Sequence, residues 1–267
     1  MMNVLVQCLP GRRAASSCIV GLVFAGLAIL QGCAATGADQ RRGSDPLESV
    51  NRGVAVFNAG VDKVVVKPAA QAYKAVVPEL FQGYVGNFFG NLSDVWTGTN
   101  NMLQGKPKDA FSDWSRFTIN TVFGFLGILD IASEMGLEKH NEDFGQTLGV
   151  WGVKPGPYLM LPFLGPSSLR DTSGLVLDTL AYPTRYISKT STRYQLLFTR
   201  VVDTRADLLA AERLMDNVSI DDYSFLRDGF FQRRYSQVFD GNPPETAAPK
   251  YDDDDEKSPA KPSGDKK

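Results

Sequence analysis

Histidine and cysteine are scarce in this chain: one histidine and three cysteines among 267 residues. A lone His140 excludes a histidine-rich metal site or a histidine pair. Cys8 and Cys18 fall in the first 32 residues; once these are removed as a leader, Cys33 stands alone, and neither a disulfide nor a thiolate cluster can form within one chain. The nucleotide and hydrolase motifs are missing too: there is no P-loop, no dinucleotide fingerprint and no Gly-x-Ser-x-Gly elbow. Gly145, Gly149, Gly152 and Gly156 lack the strand and the Lys-Ser/Thr helix start of a phosphate loop. After Cys33 no apolar run approaches the roughly 20 residues that cross a bilayer as a helix, and the alternating strands of a barrel are lacking. The expectation is a protein without catalytic residues, metal or cofactor.

What is present begins with Arg12 and Arg13 ahead of an apolar run from Ala14 to Leu30, the pattern of a secretory leader. It ends in Leu30-Gln31-Gly32-Cys33, which resembles the lipobox of bacterial lipoproteins. Residues 1–32 are therefore read as a lipoprotein signal peptide, Cys33 as the lipid attachment site and residues 33–44 as a polar tether. Residues 45–240 are the folded helical part; residues 241–267, with the acidic run Asp252 to Glu256, are expected to be a disordered tail. Removing Arg12 and Arg13 from the 28 basic residues leaves 26 against 30 acidic ones, a net of −4. Such a chain has no broad attraction for nucleic acid.

The elements read as helices. Asp45-Pro46-Leu47-Glu48 opens the first, with an apolar stripe of Leu47, Val50, Val54, Phe57 and Val61 bordered by Asn51, Asn58 and Asp62. Helices follow around Ala69 to Val77 and Glu79 to Asn101; the second carries too many large apolar residues for one narrow face and must lie deep in protein or lipid. From Pro107 onward Phe111, Trp114, Thr118, Val122 and Phe125 take one helix face, and Asp109, Asp113, Arg116 and Asn120 the other. Gly124 to Ile131 is apolar except for Asp130, which needs a partner if buried. Further helices are placed near Leu175 to Leu180, Tyr194 to Asp216 (striped by Leu197, Val201, Leu208, Ala211 and Met215) and Asp221 to Phe239. Val64 to Val66 and Tyr158 to Leu161 are the strand candidates, neither with a convincing partner, so the fold class is all-α. His140 reads as a solvated turn residue.

The segment Asp143 to Asp171 is unusual in being both apolar and irregular. It crowds Trp151, Tyr158, Leu159, Met160, Leu161, Phe163 and Leu164 among Pro155, Pro157, Pro162 and Pro166. Such a loop can sit against lipid only where protein or channel water satisfies its backbone.

Several motifs together resemble the VacJ/MlaA family of outer-membrane lipoproteins. They are Asp45-Pro46-Leu47-Glu48 with Asn51-Arg52 and Phe57-Asn58, then Arg116-Phe117 with Asn120-Thr121, Gly127, Asp130 and Ala132. Phe144-Gly145, Thr147-Leu148-Gly149, Gly156-Pro157-Tyr158, Leu161-Pro162, Gly165 and Leu169-Arg170-Asp171 continue the order. The resemblance implies a ring-like assembly of amphipathic helices in the inner leaflet of the outer membrane. Its expected partners are phospholipid, a periplasmic carrier like MlaC and a trimeric porin. The implied role is removal of mislocalised phospholipid from the outer leaflet through an amphipathic channel.

Under that reading Asp113, Arg116, Asn120, Asp130, Asp143, Gln146, Arg170 and Asp171 are the candidate channel-lining or structural polar residues, with Arg170 holding Asp171 or Asp130. Trp114, Phe125, Trp151, Tyr158, Leu159 and Phe163 are the candidate membrane-facing residues, and Gly156 to Gly165 a reentrant or hairpin-like element. The alternatives are a tethered interaction lipoprotein with a soluble helical domain, or a lipid hydrolase built on Ser167 or Ser168 with His140.

Overall fold

Pro and capping residues place the helix starts, and the chain follows them. The computed structural model describes residues 45–215 and 221–244; the leader, Cys33, the tether and the acidic run Asp252 to Glu256 lie outside the described residues. Helix α1 (Glu48–Val61) continues through a π-helical turn (Asp62–Val66) into α2 (Lys67–Val76), and α3 (Glu79–Leu103) and α4 (Pro107–Val122) follow. A short α5 (Ile131–Glu134) and α6 (Phe144–Val150) precede the strands β1 (Tyr158–Leu161) and β2 (Gly165–Ser168). The chain then runs through α7 (Leu169–Ala181), a 3-10 turn (Pro183–Tyr186), α8 (Thr190–Met215) and α9 (Asp222–Val238). Asp130, Asp143, Ser168 and Asp221 each accept a backbone N–H at the start of α5, α6, α7 and α9, which satisfies donors a helix cannot satisfy itself.

The structure is mostly helical, and three sequence expectations need correcting: the Asp143–Asp171 segment, read as irregular, carries α6 and the hairpin, and the two strand candidates also differ. Val64–Val66 is no strand: the helical backbone carries its β-branched run through a π turn, with Val64 and Val65 exposed. Tyr158–Leu161 does have a partner, since it pairs antiparallel with Gly165–Ser168, Tyr158 opposite Ser168 and Leu161 opposite Gly165. Gly-Pro-Ser-Ser has none of the β-branched or aromatic residues that mark a strand, so nothing local announces it. Phe163 and Gly165, at φ 63° and 82°, turn the chain between the strands.

The outer edge of this hairpin is closed by α1. The Asn51 side chain donates to the Tyr158 carbonyl at 3.0 Å and accepts from the Met160 N–H at 2.9 Å. Asn58, two turns on, does the same for the Leu161 carbonyl (2.9 Å) and the Phe163 N–H (2.8 Å). Two asparagines thus supply the hydrogen bonds that a third strand would have made.

Successive neighbours close a circuit. The run α1 to α2 packs on α8, α8 on α3, α3 on α6, α6 on α9, α9 on β2, β2 on β1, and β1 back on α1. Within it α3 and α4 form one tight pair and α6 and α7 another. Gly174 sets the second contact: a Cβ there would lie 2.5 Å from the Gly145 nitrogen, so the two helices touch along their backbones.

Side-chain polarity runs against the usual pattern. On α1 the apolar Val50 is 61% exposed while the neighbouring Asn51 is 2% exposed. On α4 Phe111 and Val122 point outward, whereas Asp113, Arg116 and Asn120 are buried. On α3 Leu80 and Phe81 are exposed and Asn91, Asp94, Asn100 and Asn101 are buried; on α8 Leu197, Val201 and Leu208 are exposed and Asp203 is buried. Much of each apolar stripe thus faces away from the body, although Val54 packs on the Tyr158 cluster and α8 also buries Val202, Ala206 and Leu209.

Candidate functional site

Two polar assemblies sit inside. The first lies between α3, α4 and α5 and closes around the fully buried Arg116, with Asp130, Lys139 and His140 part-exposed at its rim. Arg116 has no exposed surface; its guanidinium donates twice to Asp130 at 2.9 Å, once to Ser133 Oγ at 3.0 Å and once to the Leu137 carbonyl. Its Nε faces Asp94 at 3.6 Å, and Lys139 reaches Asp94 from the other side at 2.8 Å. Asn120 donates to Asp130 at 2.9 Å and accepts the Ala132 N–H at 2.8 Å. Asn101 and His140 both hold Asp113, at 2.8 and 3.0 Å, so His140 is no free turn residue. Burial would raise the Asp130 carboxyl, yet the bonds from Ser133, Asn120 and Arg116 outweigh it and bring it down to about 2. For Asp94 burial wins over Lys139 and Arg116, and its carboxyl is raised.

Backbone geometry beside this network projects apolar groups outward. Phe125 and Leu126 take φ of 52° and 62°, and Gly127 follows at 90° where a Cβ would lie 2.4 Å from the Asn91 amide nitrogen. Left-handed backbone at two large residues costs energy. Here it leaves the Phe125 side chain 74% exposed.

The second assembly is open and lines a cavity of about 210 Å³ between the hairpin, α7 and α9. Arg234 on α9 pairs with both Asp143 oxygens (2.6 and 2.8 Å) and with Asp171 (2.8 Å). Arg170 holds Asp171 from the other side at 2.9 and 3.0 Å. The two helix starts that present Asp143 and Asp171 are brought together by the Gly145–Gly174 contact. Asp178 completes the polar wall, accepting the Trp96 indole N–H (2.7 Å) and the Phe144 N–H (2.9 Å). Burial keeps Asp178 raised; at Asp143 burial pushes the same way, but the Arg234 guanidinium overrides it and the carboxyl is lowered. The facing wall carries Leu161, Leu164, Leu175 and Phe230. Leu161, Leu164 and Leu175 also line a second, more apolar cavity of about 490 Å³ that continues along α7.

Asp143 and Asp171 therefore lie on the cavity wall, with Arg170 behind Asp171. Asp113, Arg116, Asn120 and Asp130 belong to the closed network, and Arg116, not Arg170, holds Asp130. Gln146 is buried and donates to the Asn141 carbonyl and Asp143. Phe163 is 74% exposed at the hairpin tip, and Trp151 is exposed with its indole N–H on the Leu103 carbonyl. Trp114 and Leu159 are half-buried. Tyr158 was expected at a membrane surface and is instead 2% exposed, because β1 turns it inward against Tyr223, Phe230 and Phe231. Arg234 and Asp178 were not picked from the sequence; Arg234 stands in a helix with Arg227 and Arg233, and nothing in the spacing sets it apart.

Amphipathic helices that turn polar residues inward, beside a cavity with one polar and one apolar wall, define the class: a helical body with much of its large apolar surface on the outside. Residues 43–237 match the family model described as MlaA lipoprotein. The chain is 37% identical over 212 residues to the intermembrane phospholipid transport system lipoprotein MlaA of Shigella flexneri, covering 78% of this chain and 84% of that protein. It is 36% identical over 212 residues to the protein of the same name from Escherichia coli K12, with the same coverage. A solved structure from work on the structural basis for maintenance of bacterial outer membrane lipid asymmetry superimposes with a TM-score of 0.65 at 35% identity, over 75% of this chain and all of that one. The chain belongs to the MlaA lipoprotein family.

Proposed function

We propose that the protein is an outer-membrane lipoprotein, anchored through acylated Cys33, that withdraws phospholipid stranded in the outer leaflet and passes it to a periplasmic carrier like MlaC. The relatives' names supply the transport system; the observation that carries the reading to this chain is the inverted polarity of its helices. Exposed Phe81, Phe111, Phe125 and Phe163 would be costly in water and are favourable in hydrocarbon. Among the described residues no helix is long and apolar enough to cross a membrane; in this reading the body lies within one leaflet, as a ring beside a trimeric porin.

A phospholipid moving between leaflets needs a polar surface for its head beside an apolar one for its tails. The Asp143, Asp171, Asp178 and Arg234 wall offers the first, and the leucine-lined cavity the second. In this reading the protein moves lipid and breaks no bond; among the described residues Ser168 Oγ bonds Asp171, Ser167 Oγ bonds Thr172 and His140 bonds Asp113, so neither serine is paired with the histidine.

Membrane fractionation of the Cys33→Ala variant tests the reading. Retention in outer membranes through salt and alkali washes is expected. Release as a soluble protein would replace the leaflet-embedded body with a tethered interaction domain.

A further inference from the structure

Resting on the reading above, the structure assigns Arg185 as a phosphate clamp for phospholipid whose acyl chain lies in the apolar cavity along α7. Arg185 is the one charged residue on the wall of that cavity, which Leu161, Leu164, Leu175, Val176 and Leu180 otherwise make apolar. Arg52, Arg116, Arg170, Arg205, Arg227 and Arg234 all sit on carboxylates. Arg185 has no ion-pair partner among the described residues, and its side chain is exposed.

The surroundings deepen the contrast. Residues 179–202 contain no Asp or Glu and carry Arg185, Lys189, Arg193 and Arg200. Arg193 donates to the Arg185 backbone carbonyl at 3.3 Å, which holds a second guanidinium against this stretch of chain, and Arg200 lies over the Tyr182 ring at 4.4 Å. A planar guanidinium matches a phosphate with two parallel hydrogen bonds, and the match strengthens beside apolar surface. Every phospholipid carries the phosphodiester, so this clamp reads the phosphate and not the head group beyond it.

The experiment uses the purified full chain in phosphate-free detergent micelles with equal amounts of phosphatidylethanolamine and of diacylglycerol bearing the same chains. Bound lipid is counted by native mass spectrometry. The wild type should retain the phospholipid over the diacylglycerol by about tenfold or more, and phosphatidylglycerol should do as well as phosphatidylethanolamine. Arg185→Gln should bring the preference near unity with an unchanged melting temperature, and Arg185→Lys should keep part of it. Equal retention of both lipids by the wild type overturns the clamp and leaves the transport reading standing, whereas retention of neither removes both. A preference unaltered in the Arg185→Gln, Arg193→Gln double variant overturns it too. So does a variant that loses only binding to anionic vesicles, because the patch would then read the leaflet and not the cargo.

Discussion

The closed network around Arg116 and the open wall around Arg234 use the same parts to opposite ends. Each centres on a guanidinium held by two or more carboxylates. Around Arg116 the guanidinium, Asp94 and Asp113 are buried while Asp130, Lys139 and His140 are part-exposed at the rim, and the charges tie α3, α4 and the segment after them together. Around Arg234 the same chemistry borders a cavity whose other wall is leucine and phenylalanine. Burial of a polar residue therefore does not by itself mark a cavity wall; the Arg234 assembly is set apart because its polar groups face apolar ones across a cavity.

The contrast breaks most sharply at Arg116. Arg116→Ala leaves the buried Asp94 and the part-exposed Asp130 without their guanidinium and should cost about 3–5 kcal/mol, read as a lowered denaturant midpoint in detergent; a midpoint like that of the wild type would remove the structural role. Asn51→Leu comes next. It leaves the Tyr158 carbonyl and Met160 N–H without partners, a loss of about 2–4 kcal/mol, and amide exchange at Met160 should accelerate while that at α4 does not.

On the open wall the effect is smaller. Arg170→Ala should cost about 1–2 kcal/mol, because Asp171 keeps Arg234 at 2.8 Å; a loss as large as that of Arg116→Ala would mean that the two assemblies are equally structural. Protonation sharpens the comparison further. The Asp130 carboxyl is at about 2 in the fold against about 3.9 unfolded. Its stabilisation is thus present in full above the unfolded value and drains away as pH falls from about 4 toward 2. The gap in melting temperature between wild type and Asp130→Asn should close over that range, and a gap independent of pH would count against the ion pair. The smallest effect on folding is expected at the hairpin tip: Phe163→Ser should shift stability by within about 0.5 kcal/mol yet ease alkaline extraction of the Cys33→Ala protein. Unchanged extraction would show that the tip does not touch lipid.

The starts of α3 and α4 were legible because Pro78, Pro107 and the 3.6-residue stripes are local signals, whereas Pro68 starts no separate helix and α6 was hidden in a segment that reads as irregular. The Asp143–Asp171 segment stood out for the same reason, since apolar bulk among prolines is a property of the chain alone. The second strand of its hairpin was not legible, because Gly165–Ser168 becomes a strand only through its pairing with β1. Nor could periodicity place Tyr158, whose inward direction is decided by α9 packing beneath β1. Arg234 and Asp178 come from helices far apart in sequence and meet on one wall only when Gly145 and Gly174 let α6 and α7 touch.

The sequence by itself determined the period of each helix, the residues on each of its faces and the motifs of the family, because these depend on neighbours a few positions away. The tertiary structure alone decided which face turns inward. Periodicity is the same whether an apolar stripe meets a protein core or faces outward, and only the packing of the polar faces on one another, around Arg116 and around Arg234, chose between them.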